Sequence, residues 1–272
     1  MKDIKDISNI YYSEIVSIYC VLNLRDLTKN RLSYPITKDI LSLYKHVTAQ
    51  YVDETLLRSI YNIVPINLKE EFEGDLNQYS DYLIPIKLLL DWFKKHFMKW
   101  MDKSPSCPTC GRITSLKYVQ GNSWIIRGVE YHICPNCNSS QVFPRYGEIE
   151  NIAFNRVGRC SEWSFLFGAI LNSLGIRTRI VQDFLDHCWN ESMIDGHWIH
   201  VDSTLDYPIS FNHPHYYEKN WNKQYLYVLA FSNNDVMDVT KNYTSMFDII
   251  IERRQKLKTS DIDTIKDYYS KL

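Results

Sequence analysis

The sequence predicts an α+β fold, with helices in its first part, an antiparallel sheet in its second and a small metal-binding subdomain between them. Apolar residues recur at helical spacing through much of residues 1–100, most clearly from Tyr79 to Met101. After Gly175 the period changes to two, in short segments bounded by turn residues. These two periods predict amphipathic helices and half-buried strands, respectively. Two Cys-x-x-Cys pairs lie between the two parts, and they predict the metal-binding subdomain.

Composition limits the class of protein. The chain has 272 residues, 45% of them apolar, which is enough for one large domain or a domain with a subdomain. Its 31 basic and 32 acidic residues nearly balance, which argues against a nucleic-acid partner. The first residues are charged, and no apolar run approaches membrane-spanning length. We therefore expect no membrane insertion and a reducing compartment, the cytoplasm or also the nucleus, where seven cysteines serve metal binding and catalysis.

Four helices are predicted before residue 102. Residues 6–22 carry apolar side chains at helical spacing, and Thr37 and Asp53 are suitable N-caps for two further helices. The fourth runs from Tyr79 to Met101, with Pro85 in its first turn and a wide apolar face that extends to Trp100.

The two Cys-x-x-Cys pairs have the spacing of a metal site. Cys107 and Cys110 form the first pair, and Cys134 and Cys137 form the second. Each pair can place two thiolates on one tight turn, and two such turns complete a tetrahedral site for one zinc ion. Because four thiolates close the coordination shell, the predicted zinc is structural. Short strands are expected between the pairs, and His132 is expected to be an ordinary polar strand residue.

Cys160 is predicted to begin a helix. Gly158 leads into it, apolar residues at helical spacing follow, and Gly175 is placed where a left-handed cap usually ends a helix. The free N–H groups and the dipole at a helix N-terminus lower a thiol pKa, so a thiolate becomes available near neutral pH. Such a thiolate becomes a catalyst when a histidine and an orienting carboxylate stand beside it.

A predicted hairpin offers that histidine and carboxylate. Asp195-Gly196 is a preferred two-residue hairpin turn between two segments of period two. The register it sets places His187 opposite Thr204, with Asp202 a diagonal neighbour on the same face. The pattern therefore permits a cysteine at a helix start to face a His–Asp pair on a sheet.

The remaining candidates are assigned to structure. Cys188 follows His187, so its side chain is expected to point the other way, into the core. His200 is expected to have a structural or solvent role. Residues 225–231 and 236–239 are predicted strands, and residues 259–272 are a predicted terminal helix capped by Ser260. The same expectation, core or solvent, covers Cys20, His197, His213 and His215.

Several signatures in one order make the chain resemble a known family. They are Trp92-Phe93-Lys94, the two Cys-x-x-Cys pairs, Phe143-Pro144-Arg145-Tyr146, Gly158-Arg159-Cys160 with Glu162-Trp163, Asp186-His187 with Trp189 and Glu191, Trp198-Ile199-His200-Val201-Asp202, and Asn220-Trp221-Asn222-Lys223 with Asp238-Val239. Over roughly residues 88–245 the chain resembles the cytosolic peptide:N-glycanases of the transglutaminase-like superfamily, in their short, fungal-type arrangement. The resemblance implies a transglutaminase-like, papain-like core with N-terminal helices and a four-cysteine zinc-binding subdomain.

The resemblance also implies a reaction and a role for each residue. Cys160 would be the nucleophile, His187 the general base and acid, and Asp202 the residue that orients the imidazole, while Cys107, Cys110, Cys134 and Cys137 would hold zinc. The reaction would be hydrolysis of the amide between an Asn side chain and the first N-acetylglucosamine of an N-glycan. One departure is Ser161, because the family commonly has Gly after the nucleophile. The tryptophans of the signatures are candidate sugar platforms, although a core position is the commoner role for each of them: Trp163, Trp189, Trp198 and Trp221.

By resemblance, the substrates are misfolded N-glycosylated proteins, and the partners are a ubiquitin-receptor shuttle protein and, through it, the proteasome. The expected domains are an N-terminal helical part of the core (1–100), a zinc-binding subdomain (101–145), a transglutaminase-like catalytic core (146–245) and a C-terminal helical segment (246–272). The residues alone leave alternatives open: a transglutaminase or a cysteine protease with the same triad, or a non-catalytic transglutaminase-like module that binds DNA.

Overall fold

The computed structural model describes residues 36–74, 76–121, 123, 126–257 and 262–272. The predicted helix at residues 6–22 lies outside the described residues, and so do Cys20 and Ser260. Within the described residues, no helix is both long enough and apolar enough to cross a bilayer.

Ten α-helices are described. Thr37 caps α1, where its Oγ1 accepts from the N–H of Ile40 at 3.3 Å, and Asp53 caps α2 through two backbone N–H groups, as predicted. The helices are α1 (Lys38–Gln50), α2 (Glu54–Ile63), α3 (Ile66–Glu70), α4 (Leu83–Trp92), α5 (Ile149–Asn155), α6 (Cys160–Ser173), α7 (Tyr216–Asn220), α8 (Thr240–Tyr243), α9 (Phe247–Leu257) and α10 (Ile262–Ser270).

In the part of the chain that the structure describes, ten strands form three sheets. β1 (Lys99–Trp100) and β5 (Val157–Gly158) pair in parallel, and β2 (Ser115–Gln120), β3 (Ile126–Ile133) and β4 (Ser140–Tyr146) form an antiparallel sheet. The strands of the third sheet are β6 (Thr178–Gln182), β7 (Cys188–Ile194), β8 (His197–Val201), β9 (Leu229–Phe231) and β10 (Val236–Asp238), in the order β10-β9-β6-β7-β8. All neighbours in this sheet are antiparallel, and with the surrounding helices they confirm the α+β prediction.

The main core lies where α6 packs on the five-stranded sheet. Every residue of α6 from Glu162 to Leu171 is buried. A helix that is apolar on nearly all sides must be covered on all sides. The sheet covers one side through β6 and β7, and the helices α2 and α5 contact it elsewhere. The predicted start and end of this helix are confirmed, since it begins at Cys160 and Gly175 has φ +82°.

The hairpin of β7 and β8 has the predicted register. Ile194 pairs with His197, and the ladder continues without a shift to Asn190 opposite Val201. Asp195 and Gly196 have φ values of 49° and 73°, the left-handed pair that a type I′ turn requires. The same alignment, carried past the end of the ladder, brings His187 near Asp202.

The long helix predicted from Tyr79 to Met101 is wrong at its C-terminal end. A 3₁₀ turn at Tyr79–Tyr82 leads into α4, and a π-helical turn at Phe93–Phe97 ends it. Lys99 and Trp100 then form β1, because β5 offers them backbone partners: Lys99 N–H donates to Arg156 O at 2.8 Å. Apolar spacing within the segment could not reveal a partner about sixty residues downstream.

The strand predicted at residues 225–231 is shorter than expected, because only Leu229–Phe231 joins the sheet. The carbonyl groups of Tyr225 and Leu226 accept side-chain hydrogen bonds instead, each at 2.7 Å, from Arg253 and Arg254 of α9. These arginines satisfy the backbone where a neighbouring strand would otherwise do so.

Candidate active site

The Cys160 thiol lies at the first residue of α6, partly exposed at the bottom of a cleft. Glu162 sits three residues after Arg159, and its Oε2 accepts the Arg159 N–H at 3.1 Å, so it caps the helix start. The thiol can donate to the carbonyl of Asp186 at 3.7 Å. The helix N-terminus therefore faces the loop that carries His187.

A tight loop before β7 presents His187. Asp183 Oδ1 accepts the N–H groups of Leu185, Asp186 and His187 at 2.8–3.0 Å, and Phe184 has φ 52°. The buried Lys223 ammonium holds the other oxygen of Asp183 at 2.6 Å. A carboxylate with three backbone donors fixes the loop before any substrate arrives.

Asp202 lies beside His187 and has a full set of hydrogen bonds. Its Oδ2 is 2.7 Å from His187 Nε2 and accepts the Tyr217 O–H at 2.7 Å. Its Oδ1 accepts the backbone N–H and the hydroxyl of Thr204 at 2.9 and 2.7 Å. Because Nε2 is used by Asp202, Nδ1 is the ring nitrogen left for the Cys160 thiol. The structure thus brings the three predicted residues, Cys160, His187 and Asp202, to one place.

Electrostatics at this site favour a thiolate and an imidazolium. A hydrogen bond with Cys188, together with the hydrogen bond and charge of His187 and the charge of Arg145, outweighs burial and holds the pKa of Cys160 well below its usual range. Burial alone would lower the pKa of His187, but the charge of Asp202 and hydrogen bonds to Asp202 and Cys160 raise it to about 10. The pair can therefore exist in its charged form near neutral pH.

A second histidine supports the carboxylate through Tyr217. His200 Nε2 lies 2.7 Å from the Tyr217 hydroxyl, and His200 Nδ1 accepts the His213 N–H at 3.3 Å. That acceptor role assigns the proton to Nε2, so His200 donates to Tyr217 and Tyr217 donates to Asp202. Burial lowers the pKa of His200 to about 4, so this imidazole is neutral at physiological pH. The structural role expected for His200 is in keeping with these contacts, whereas no sequence signal pointed to Tyr217.

Cys188 is a buried core residue, as predicted, but its sulfur also faces the start of α6, which the prediction did not include. Cys188 is buried, its sulfur lies 3.3 Å from the Ser164 hydroxyl, and it hydrogen-bonds with the Cys160 thiol. It is the first residue of β7, directly beneath the start of α6. Alternation along a strand separates the side chains of His187 and Cys188, but the start of a helix that lies over the end of the strand can contact both.

The cleft above the thiol has a volume of about 600 Å³. Aromatic side chains border it on two sides: Trp100 from β1 and Trp221 after α7, whose ring is edge-on to His187 at 5.1 Å. Trp163 and Trp189 are buried core residues, and Arg179 covers Trp198 at 3.9 Å. Of the four candidate sugar platforms, Trp221 lines this cleft. Trp100, which the sequence assigned to the apolar face of a helix, also lines it.

The four predicted metal ligands are close together. The sulfur atoms of Cys107, Cys110, Cys134 and Cys137 all lie within 4.8 Å of one another, with contacts of 3.4 and 3.5 Å between the two pairs. In a tetrahedral site with Zn–S bonds of about 2.3 Å, the sulfur atoms would lie a little less than 4 Å from one another. The spacing of these four sulfur atoms therefore fits a zinc ion. His132 is a fully buried residue of β3, its Nε2 lies 3.2 Å from Glu130, and it is not among the four clustered sulfur ligands.

Comparisons with known proteins agree with these features. A family model described as the transglutaminase-like superfamily matches residues 117–203. Curated relatives named peptide-N(4)-(N-acetyl-beta-glucosaminyl)asparagine amidase are 35% identical over 201 residues in Yarrowia lipolytica, 36% over 222 residues in Saccharomyces cerevisiae and 32% over 241 residues in Rattus norvegicus. These alignments cover 71%, 75% and 82% of this chain.

The chain spans 55% and 58% of the length of the two fungal relatives and 36% of the rat relative. Among solved structures, a chain from a nucleotide excision repair complex aligns with a TM-score of 0.49 at 15% identity, over 85% of this chain and 57% of that one. No function follows from likeness at that level. With the family model, the relatives and the four-cysteine group taken together, the chain belongs to the transglutaminase-like superfamily, in the family of the peptide-N(4)-(N-acetyl-beta-glucosaminyl)asparagine amidases.

Proposed function

We propose that this chain hydrolyses the amide that joins an Asn side chain to the first N-acetylglucosamine of an N-glycan, and so converts the Asn to Asp. The observation that carries the proposal is the short contact between His187 and Asp202 beside a low-pKa thiol at a helix N-terminus. The names of the 32–36% identical relatives supply the substrate class. The rival reactions of the same triad are separated from it by their products.

In the proposed mechanism, the Cys160 thiolate attacks the side-chain carbonyl carbon of the glycosylated Asn. The free N–H groups at the start of α6 face the developing oxyanion and stabilise it. The His187 imidazolium donates its proton to the leaving nitrogen, and the sugar departs as a glycosylamine. The neutral imidazole then removes a proton from water, and the hydroxide hydrolyses the thioester to Asp and free thiol.

Asp202 acts in this mechanism by orientation. Its Oδ2 fixes Nε2 of His187, so Nδ1 points toward the thiol throughout the cycle. Its own hydrogen bonds keep the carboxylate ionised, because the charge and hydrogen bond of His187 and the Tyr217 hydroxyl hold its pKa below the usual range against the effect of burial. A protonated Asp202 would not stabilise the imidazolium, so these contacts preserve the active charge state.

The cleft suits a polypeptide that carries a sugar. Trp100 and Trp221 line it, and aromatic faces bind the apolar faces of sugar rings. An Asn side chain on an unfolded segment can enter such a cleft more easily than an Asn side chain held on the rigid surface of a folded protein. From the resemblance to the amidase family we further propose misfolded N-glycosylated proteins as substrates, the cytoplasm as the site of action, and a ubiquitin-receptor shuttle protein and the proteasome as partners.

For the four-cysteine group we propose one structural zinc ion, held by Cys107, Cys110, Cys134 and Cys137. The ion would cross-link the two turns that flank β2 and β3 and would take no part in the reaction. Two independent readouts test this: metal content per chain by elemental analysis, and loss of that metal in Cys110→Ser. A chain that contains no metal in either form would contradict the proposal.

The test of the activity uses a denatured N-glycoprotein incubated with the wild type and with Cys160→Ala. Mass spectrometry of the peptide at the glycosylation site should find Asp after treatment with the wild type and an intact glycan with the variant. Circular dichroism establishes that the variant is folded. If the product is a cross-linked peptide and no Asp is formed, the enzyme is a transglutaminase. If the product is a cleaved backbone and no Asp is formed, it is a protease.

A further inference from the structure

A group of buried charges joins the four-cysteine subdomain to the start of α6. Its members, here called the hairpin–helix cluster, are Arg127 and Glu130 of β3, Arg145 of β4, and Arg159 and Glu162 around Cys160. Glu130 and Glu162 are buried, and the three arginines are at most one-fifth exposed. Three guanidinium groups face two carboxylates, so the hairpin–helix cluster carries one net positive charge.

The hairpin–helix cluster holds the segment on both sides of the proposed nucleophile. One residue before Cys160, Arg159 makes a bidentate pair with Glu130 through two contacts of 2.6 Å. Two residues after Cys160, Glu162 accepts from Arg127 at 2.6 Å and from Arg145 at 2.8 and 3.1 Å. Bidentate arginine–carboxylate pairs fix direction as well as distance. Cys160 therefore lies between two anchors, both of which lead to the β3–β4 hairpin.

Arg145 is the central member of the hairpin–helix cluster. Its Nη1 donates to Glu130 at 3.0 Å, while its Nε and Nη2 donate to Glu162. It thus bridges the two carboxylates that belong to the two anchors. The pKa of Glu162 falls to about 2 because the charges of Arg145 and Arg127 outweigh the effect of burial, so the carboxylate that caps α6 stays ionised.

Ser161 adds a contact that glycine at this position could not make. Its Oγ accepts from Arg145 Nη2 at 2.9 Å and from Arg127 Nη2 at 3.3 Å. Ser161 is the residue at which the chain departs from the expected pattern of glycine after the nucleophile. The departure falls on the residue next to the thiol, and its side chain turns toward the arginines of the hairpin.

We propose that Arg145 is a positioning residue for Cys160, and that the Ser161 hydroxyl is a further anchor through which this chain ties its thiol to the four-cysteine subdomain. The inference rests on the proposed role of Cys160 as nucleophile. Arg145 contacts no reacting atom. It holds the first turn of α6, and with it the thiol, against His187, and from that position its charge favours the thiolate.

If the hairpin–helix cluster only stabilised the fold, its variants would behave differently. Loss of Arg145 would then lower the stability of the fold but leave the reactivity of Cys160 unchanged in molecules that remain folded. A positioning role predicts that the thiolate becomes harder to form and less well placed. The other polar groups that face the thiol, His187, Cys188 and the Asp186 carbonyl, stay the same in the variants, so a change in its reactivity reports on the hairpin–helix cluster.

The experiment measures the rate at which iodoacetamide alkylates Cys160, by mass spectrometry of its peptide, from pH 4 to pH 9 in the zinc-loaded protein. The variants are Arg145→Gln, Arg145→Lys, Ser161→Ala and Ser161→Gly. The matched control is Arg254→Gln, because Arg254 is a similarly buried arginine, paired with Asp238 at 2.6 Å, far from the cleft. Thermal unfolding of each variant runs alongside.

We expect alkylation at pH 6 to be about tenfold slower in Arg145→Gln and about threefold slower in Ser161→Ala and Ser161→Gly, with the profile moved to higher pH. Arg145→Lys should be intermediate, since it keeps the charge and loses the bidentate geometry. Arg254→Gln should keep the wild-type profile even where its melting temperature falls. If Arg145→Gln does not fold, Arg145→Lys and the Ser161 variants decide the question.

Wild-type profiles in all folded variants, or an equal shift in Arg254→Gln, would overturn the proposal. Because alkylation needs no glycoprotein, this outcome is distinct from a failure of the proposed function. An enzyme without glycanase activity could still show the shift in Cys160 reactivity. Conversely, an active glycanase with an insensitive thiol would contradict only the positioning role.

Discussion

Replacement of Tyr217 by phenylalanine is a sharp test of the network behind the site. The Tyr217 hydroxyl lies between His200 Nε2 and Asp202 Oδ2, 2.7 Å from each. Phenylalanine keeps the ring and its packing against Trp189 and Trp221, whose centroids lie 4.7 and 5.1 Å away. The substitution therefore removes one oxygen atom and two hydrogen bonds from a fully buried position.

The structure sets the size of the effect. A hydrogen bond to an ionised group contributes about 1.5–3 kcal/mol, and a buried N–H left without its acceptor costs about 1–3 kcal/mol. Asp202 keeps its other three donors and His200 remains buried, so we expect the free energy of unfolding to fall by about 2–4 kcal/mol. Turnover should fall by about tenfold, equivalent to about 1.4 kcal/mol, because the carboxylate that orients His187 is less firmly held.

Urea unfolding at neutral pH measures the stability change, and Tyr243→Phe is the control. The Tyr243 hydroxyl is equally buried and has the same kind of partners, the Trp189 N–H at 2.8 Å and the Glu191 carboxylate at 2.7 Å. It should lose a similar stability without the loss of turnover. A Tyr217→Phe variant as stable as the wild type, or an equal loss of turnover in the control, would refute the reasoning.

Three further predictions concern metal, pH and packing. Removal of the metal should abolish hydrogen-exchange protection of residues 115–146 and, through them, activity; full activity in verified metal-free protein would contradict this. Burial lowers the pKa of His200 to about 4, whereas in the unfolded chain it is about 6.5. The unfolded chain therefore binds a proton first as the pH falls, and the free energy of unfolding should decline by about 3 kcal/mol between about pH 6.5 and pH 4. Urea midpoints measured across this range should fall less in His200→Gln than in the wild type. Gly168→Ala should destabilise the fold by more than about 2 kcal/mol, because its Cβ would lie 2.3 Å from the Tyr51 hydroxyl, whereas Gly74→Ala, with no atom within 4 Å, should be nearly neutral in thermal unfolding.

Local signals carried much of the prediction from sequence. A glycine cap and helical spacing place Cys160 at the start of α6, and a single Asp-Gly turn sets the register that brings His187 to Asp202. These features depend on neighbours in the chain, so periodicity and turn chemistry reveal them. The spacing of the four cysteines likewise reports a shared site, because each pair is a local turn.

Contacts between distant segments escaped prediction. Trp100 was assigned to a helix because its apolar spacing continues that of α4, but its backbone partner is Gly158. Cys188 was assigned to the far side of its strand, although the start of α6 lies over that strand and contacts it through Ser164. Tyr217 lies in a short helix after a turn, and nothing in its neighbourhood indicates that it reaches Asp202. In each case the missing information was a partner remote in sequence.

The parallel pair of β1 and β5 has a consequence for how the molecule assembles. The chain leaves the core at Trp100, forms the four-cysteine subdomain, packs α5 on the core again and then pairs Val157 with Lys99, beside the point where it left. The subdomain is therefore an insertion whose two ends are already joined, and the entropic cost of closing such a loop rises only slowly with its length. We therefore expect the core to be able to form before the subdomain docks on it. When the metal proposed for the four cysteines is scarce, we expect newly made chains to contain a formed core with an unanchored Cys160, which later addition of that metal would anchor.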